Sequence, residues 1–135
     1  FEKNKFMIQR IQSFYILILF FLSILVYSNA FNFTPTSEFL ARFISFNGFL
    51  GVPLLLLITL FLYNKRKLQI LLCWLLLLIH LGQFGLFLSE VNQNYSFNFE
   101  TLAVLESLVG IFLLWLTKQN IQKDEALVRS VDRIR

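Results

Sequence analysis

Charge is distributed along this chain in blocks, and that distribution limits the fold more than any motif does. Four apolar stretches, at about residues 14–30, 43–63, 68–89 and 101–117, hold almost no ionisable side chain, while Lys and Arg crowd between and beside them. A run of about 20 apolar residues is what a helix needs to cross a hydrocarbon core of ~30 Å. Backbone amides in lipid have no water to bind, so such runs must be helical. The expected fold class is all-α: a polytopic membrane protein, a four-transmembrane-helix up-down bundle over residues 1–117 with a helical tail over 118–135. With 57% hydrophobic and 15% charged residues in a length of 135, these spans and their short connectors leave no room for a separate soluble domain.

The spans differ in security. The first (FYILILFFLSILVYSNA) follows Lys3, Lys5 and Arg10. It is longer than a typical signal-peptide core and Asn29-Ala30-Phe31 is a poor cleavage site, so an uncleaved helix is expected. The second contains Gly48, Gly51 and Pro53. A proline removes one backbone hydrogen bond and clashes with the preceding turn, which predicts a kink. The third carries fourteen Leu, Ile or Phe residues, each favouring insertion by ~0.3 to 0.6 kcal/mol at mid-depth. In the fourth, Glu106 interrupts ten Leu, Ile, Val or Phe residues. A central acid costs roughly 2.5 to 3.5 kcal/mol, offsetting most of the insertion energy, so this helix needs neighbours.

Orientation follows from the basic residues. Lys3, Lys5, Arg10, Lys65, Arg66, Lys67, Lys118, Lys123, Arg129, Arg133 and Arg135 share one side of the predicted topology, and only Arg42 lies on the other. The positive-inside rule therefore puts both termini in the cytoplasm. The net charge of +4 is explained by this flanking pattern, with membrane lipids as partners and no nucleic acid. In the first outer loop Thr36 or Ser37 is expected to cap a helix, and Glu38 and Arg42 are spaced to pair across one turn. Asn32-Phe33-Thr34 and Asn94-Tyr95-Ser96 match the glycosylation pattern, without a secretory pathway expected to use them. Tyr15, Tyr27, Tyr63, Tyr95 and Trp115 fit interfacial anchors.

The tail, KQNIQKDEALVRSVDRIR, has no Gly or Pro to stop the fourth helix. Leu127, Val131 and Ile134, with Val128 beside them, share one face, while Arg129, Asp132, Arg133 and Arg135 occupy the rest. Such a helix either lies on anionic lipid or docks on a protein partner.

The segment Met7-Ile8-Gln9-Arg10-Ile11-Gln12-Ser13-Phe14-Tyr15 and the ending Lys123-Asp124-Glu125-Ala126-Leu127-Val128-Arg129-Ser130-Val131-Asp132-Arg133-Ile134-Arg135 resemble a family of small four-helix inner-membrane proteins of Bacteroidota, catalogued as a domain of unknown function. The resemblance covers Met7 to Arg135. It implies four transmembrane helices and a bacterial cytoplasmic (inner) membrane location, and implies no activity. The six residues before Met7 depart from the family pattern, which opens at that methionine, so an upstream start or a misassigned extension is the expectation there.

Chemical motifs are sparse. The sequence has no Gly-rich phosphate loop, no paired Cys or Cys-His metal spacing and no G-x-S-x-G elbow. Cys73 is a single cysteine within an apolar run and reads as a packing residue, and one His cannot supply paired haem ligands. No cofactor, metal or catalytic residue is assigned.

What remains is polar residues within spans: His80 and Gln83 in the third, Glu106 and Ser107 in the fourth. Counting from the outer ends of antiparallel helices, Gln83 and Glu106 fall at similar depth, ~7 Å or a little more at 1.5 Å per residue, with His80 one turn deeper. A Gln83–Glu106 hydrogen bond would satisfy the acid. An intramembrane acid can mark a proton path, but a relay needs a series of such groups, so a helix-pairing contact is the preferred reading.

Three functions compete. The lead is a non-enzymatic accessory or scaffold subunit of a larger inner-membrane complex, with protein export, envelope motor or respiratory assemblies as candidates and other membrane subunits as partners. The alternative is a small proton-coupled transporter acting as a dimer through Glu106. A third is an intramembrane enzyme acting on lipid with His80 and Glu106 as acid and base.

Overall fold

The computed structural model describes residues 2–32, 38–45, 51–91 and 98–133. Five α-helices account for most of them: α1 Glu2–Ser28, α2 Glu38–Ser45, α3 Val52–Phe61, α4 Arg66–Glu90 and α5 Phe99–Asp132. Short 3-10 turns, Asn29–Asn32 and Leu62–Asn64, follow α1 and α3, and no strand occurs among the described residues.

Among the described residues three helices, rather than the expected four, are long and apolar enough to cross a membrane: α1, α4 and α5. Within the span expected over 43–63 the described residues hold the end of α2, to Ser45, and the ten-residue α3, while residues 46–50 lie outside the described residues. The length of α3 is ~15 Å at 1.5 Å per residue, half a hydrocarbon core. Pro53, which has no N–H, sits in the first turn of α3, where amides have no intrahelical acceptor, and the kink expected there adjoins residues 46–50, which lie outside the described residues. Gly48 and the expected caps Thr36 and Ser37 lie outside the described residues, as do the glycosylation-like triplet at Asn94 and most of that at Asn32.

Helix directions follow from two apolar clusters. One joins Ile16 and Leu19 of α1, Val52 and Leu56 of α3, Leu76 and Leu77 of α4 and Leu114 of α5. The other joins Val26 and Tyr27, Phe87, Phe99 and Ala103, with Phe43 and Ile44 of α2 packed against it. Thus α1 and α4 run from the first cluster to the second, and α5 returns between them, packed along both. Tyr27, expected at a border, is buried with its ring edge-on to Phe99.

Burial recurs along the long helices at spacings of three and four residues. It marks Gln12, Ile16, Leu19, Ser23 and Val26 on α1, and Gln69, Cys73, Leu76, His80, Gln83 and Phe87 on α4. On α5 it marks Ala103, Ser107, Gly110, Leu114, Thr117, Ile121 and Asp124. A 3.5-residue repeat is the seam of helices crossing at a small angle, the common geometry of membrane bundles. Outside the seam the surface is greasy, with Phe21, Leu25, Leu71, Leu78 and Phe112 all well exposed. A soluble monomer rarely presents so large an apolar area, whereas lipid accepts it.

Candidate functional site

Between the two apolar clusters the seam turns polar. Ser23, His80, Gln83, Glu106 and Ser107 are all buried to within 1%. Ser23 and Ser107 donate to carbonyls of their own helices, at Phe20 and Val104. The other three meet across the α4–α5 interface. Gln83 Nε2 donates to Glu106 Oε2 at 2.5 Å, and His80 Nε2 lies 3.5 Å from Glu106 Oε1. The depth match between antiparallel helices thus places these side chains in one layer.

The tautomer of His80 is set by its other nitrogen. Nδ1 lies 2.8 Å from the carbonyl of Leu76. A carbonyl can only accept, so Nδ1 carries the proton. One further proton between Nε2 and Oε1 makes the pair neutral overall, whether imidazolium with carboxylate or imidazole with carboxylic acid. Apart from each other, His80 Nε2 and Glu106 Oε1 have no polar partner among the described residues, and Gln83 Oε1 has no hydrogen-bond partner there either.

Gly110 completes the layer, and the pattern of polar residues does not single it out. A Cβ built on it would fall 2.2 Å from His80 Cδ2 and 2.7 Å from Nε2, well inside contact distance. The imidazole lies against the backbone of α5, in room that only glycine leaves. The available signal is its position one turn after Glu106, since small residues in apolar spans let helices approach closely.

A second polar layer lies at the other end of the first apolar cluster. Arg66, at the start of α4, pairs with Asp124 of α5 at 3.2 Å and also reaches the Asp124 carbonyl. Gln69 Nε2 donates to the carbonyl of Thr59 on α3 at 3.2 Å. Asp124 and Ile121 are buried, so α5 packs against the bundle well past Thr117. In the sequence Arg66 stands only as an orienting charge, and nothing in its spacing points to Asp124.

Beyond Asp124 the helix stands clear. Leu127, Val128 and Val131 are 48%, 36% and 37% exposed. Arg129 pairs with Glu125 along the same helix at 2.6 Å, and Arg133 is exposed. Ile134, Arg135 and the side chain of Asp132 lie outside the described residues. The pair expected between Glu38 and Arg42 is present at 3.9 Å, fully on the surface of α2. Cys73 is buried in the seam, and no cluster of three or more metal-type side chains occurs among the described residues.

A family model described as a domain of unknown function (DUF4293) matches residues 8–134. No curated protein and no solved structure matches the chain.

Proposed function

The chain belongs to the DUF4293 family, a domain of unknown function, and from its geometry we propose that it is a non-enzymatic accessory or scaffold subunit of a larger bacterial inner-membrane complex. The carrying observation is α5, one uninterrupted helix from Phe99 to Asp132 whose last two turns extend beyond the packed bundle with Leu127, Val128 and Val131 uncovered. A rod that starts in a membrane bundle and ends in an apolar face suits a docking helix for a membrane subunit's aqueous part. In this reading α1, α4 and α5 cross the bilayer, and the α2–α3 segment makes the remaining crossing. The basic residues beside α4 and α5 then lie in the cytoplasm with both termini.

The test is co-purification from the native membrane in mild detergent. The double variant Leu127→Asp and Val131→Asp should lose its partner while inserting normally. Recovery of wild type always alone would remove the proposal.

The proton-coupled alternative draws on His80 and Glu106, whose side chains face each other at 3.5 Å in one buried layer. Against it, apolar clusters lie on both sides of that layer, and the layer contains one acid and one histidine. Loss of proton-driven uptake in vesicles on Glu106→Gln would favour transport. Unchanged uptake would exclude it.

A further inference from the structure

We propose that Trp74, Lys118 and Lys67 form a binding site for the phosphate headgroup of an anionic phospholipid, at the boundary where α4 and α5 leave the hydrocarbon. The site rests on the membrane-spanning reading of these helices.

The argument begins with cations that lack a protein counter-charge. Arg66 has Asp124, and Arg129 has Glu125. Lys67 and Lys118 have no carboxylate within ion-pair distance among the described residues. The Lys118 ammonium instead lies 3.8 Å from the centre of the Trp74 ring. An aromatic face attracts a cation but leaves its charge uncompensated and its N–H groups free to donate.

The surroundings select lipid over a soluble anion. Lys67, Leu71, Trp74 and Leu78 follow one another at spacings of four, three and four on an exposed stripe of α4, with Leu71 61%, Trp74 49% and Leu78 64% exposed. Trp115, 46% exposed, precedes Lys118 by one turn on α5. Both tryptophans of the chain therefore flank Lys118. Indole rings favour the headgroup level, with an apolar body and a polar edge. Lys67 is seven residues from Trp74, ~10 Å along the helix, and two lysine side chains can span that gap from either side. A phosphate between the two ammonium groups would place its acyl chain along Leu71 and Leu78. A neutral zwitterionic headgroup brings its own cation and gains less from two lysines.

The chain carries its own reporter. Trp115→Phe leaves Trp74 as the only tryptophan, and the full-length variant can be reconstituted in phosphatidylcholine vesicles. Phosphatidylglycerol brominated on its acyl chains should quench Trp74 at a roughly fivefold lower mole fraction than brominated phosphatidylcholine, the factor expected for one lysine near an anionic headgroup. Lys118→Gln should abolish the preference, Lys67→Gln should reduce it, and Lys118→Arg should keep it. Millimolar inorganic phosphate should not alter it. Equal quenching by the two lipids, or an unchanged preference in both glutamine variants, would overturn the site. Competition by inorganic phosphate would overturn its assignment to lipid. Failure of brominated phosphatidylcholine to quench Trp74 even as the sole lipid would overturn the bilayer reading beneath it.

Discussion

α4 and α5 are joined by polar contacts at two levels, and the two are built differently. In the middle, His80, Gln83 and Glu106 are fully buried. At the end, Arg66 keeps 19% of its side chain exposed while Asp124 keeps 7%. Coulomb attraction alone would favour the same ion pair at both levels, but desolvation decides otherwise. Water at the edge lets Arg66 remain charged at small cost, whereas a permanently charged Arg in the middle would sacrifice hydration that nothing there replaces. The middle layer instead uses a base and an acid that can share a proton and be neutral together. Depth of burial, more than partner chemistry, separates the two polar pairs of this interface.

Substitutions can break this contrast, from the most to the least severe. Glu106→Lys should come first: it leaves a cation beside His80 with no carboxylate in the middle layer, costing roughly 3 kcal/mol on insertion scales. Membrane abundance should collapse, and abundance equal to that of Glu106→Gln would mean the acid faces water. Gly110→Ala keeps every polar group yet drives the imidazole off α5. Overpacking of this kind costs about 1 to 3 kcal/mol, visible as a lowered thermal midpoint in detergent; a wild-type midpoint would show that the two helices are free to move apart.

Arg66→Ala should cost about 1 to 2 kcal/mol, between surface and buried pairs, because it leaves the largely buried Asp124 carboxylate without its cation at the edge of the bundle. High salt should weaken the wild type toward this variant while leaving the Gly110→Ala deficit unchanged, since buried contacts are screened little. Smallest is Glu106→Gln, near the ~0.6 kcal/mol typical of one interhelical polar contact. If its midpoint fell further than that of Arg66→Ala, the middle layer would be more than a packing contact.

Much of the middle layer is legible in the amino-acid sequence. Antiparallel neighbours joined by a short loop have computable relative depths, so Gln83 and Glu106 can be matched by counting from helix ends. The seam itself is not legible from hydrophobicity, because lipid is as apolar as a protein core and both faces of a span read alike. Its trace is instead the small and polar residues: Gln69, His80 and Gln83 on α4, Ser107, Gly110 and Thr117 on α5. In the second span Pro53 is legible as a special position, and Val52 and Leu56 beside it anchor α3 in the first apolar cluster. Asp124 reads as part of a free tail only on the premise that α5 leaves its neighbours where the apolar run stops. Packing continues for two more turns, held by Ile121 and by the pair with Arg66.

The unbroken course of α5 gives the tail a compass bearing. From Glu106 to Val131 the helix runs 25 residues, ~38 Å, without a hinge to absorb rotation. The azimuth of Leu127 and Val131 is therefore fixed by how His80 seats against Gly110 deep in the bundle. Each residue added between Asp124 and Leu127 would turn that face by ~100° about the axis, and seven would bring it nearly back into phase, about 10 Å farther out. Any partner that grips the tail is in effect reading the rotational setting of the bundle core.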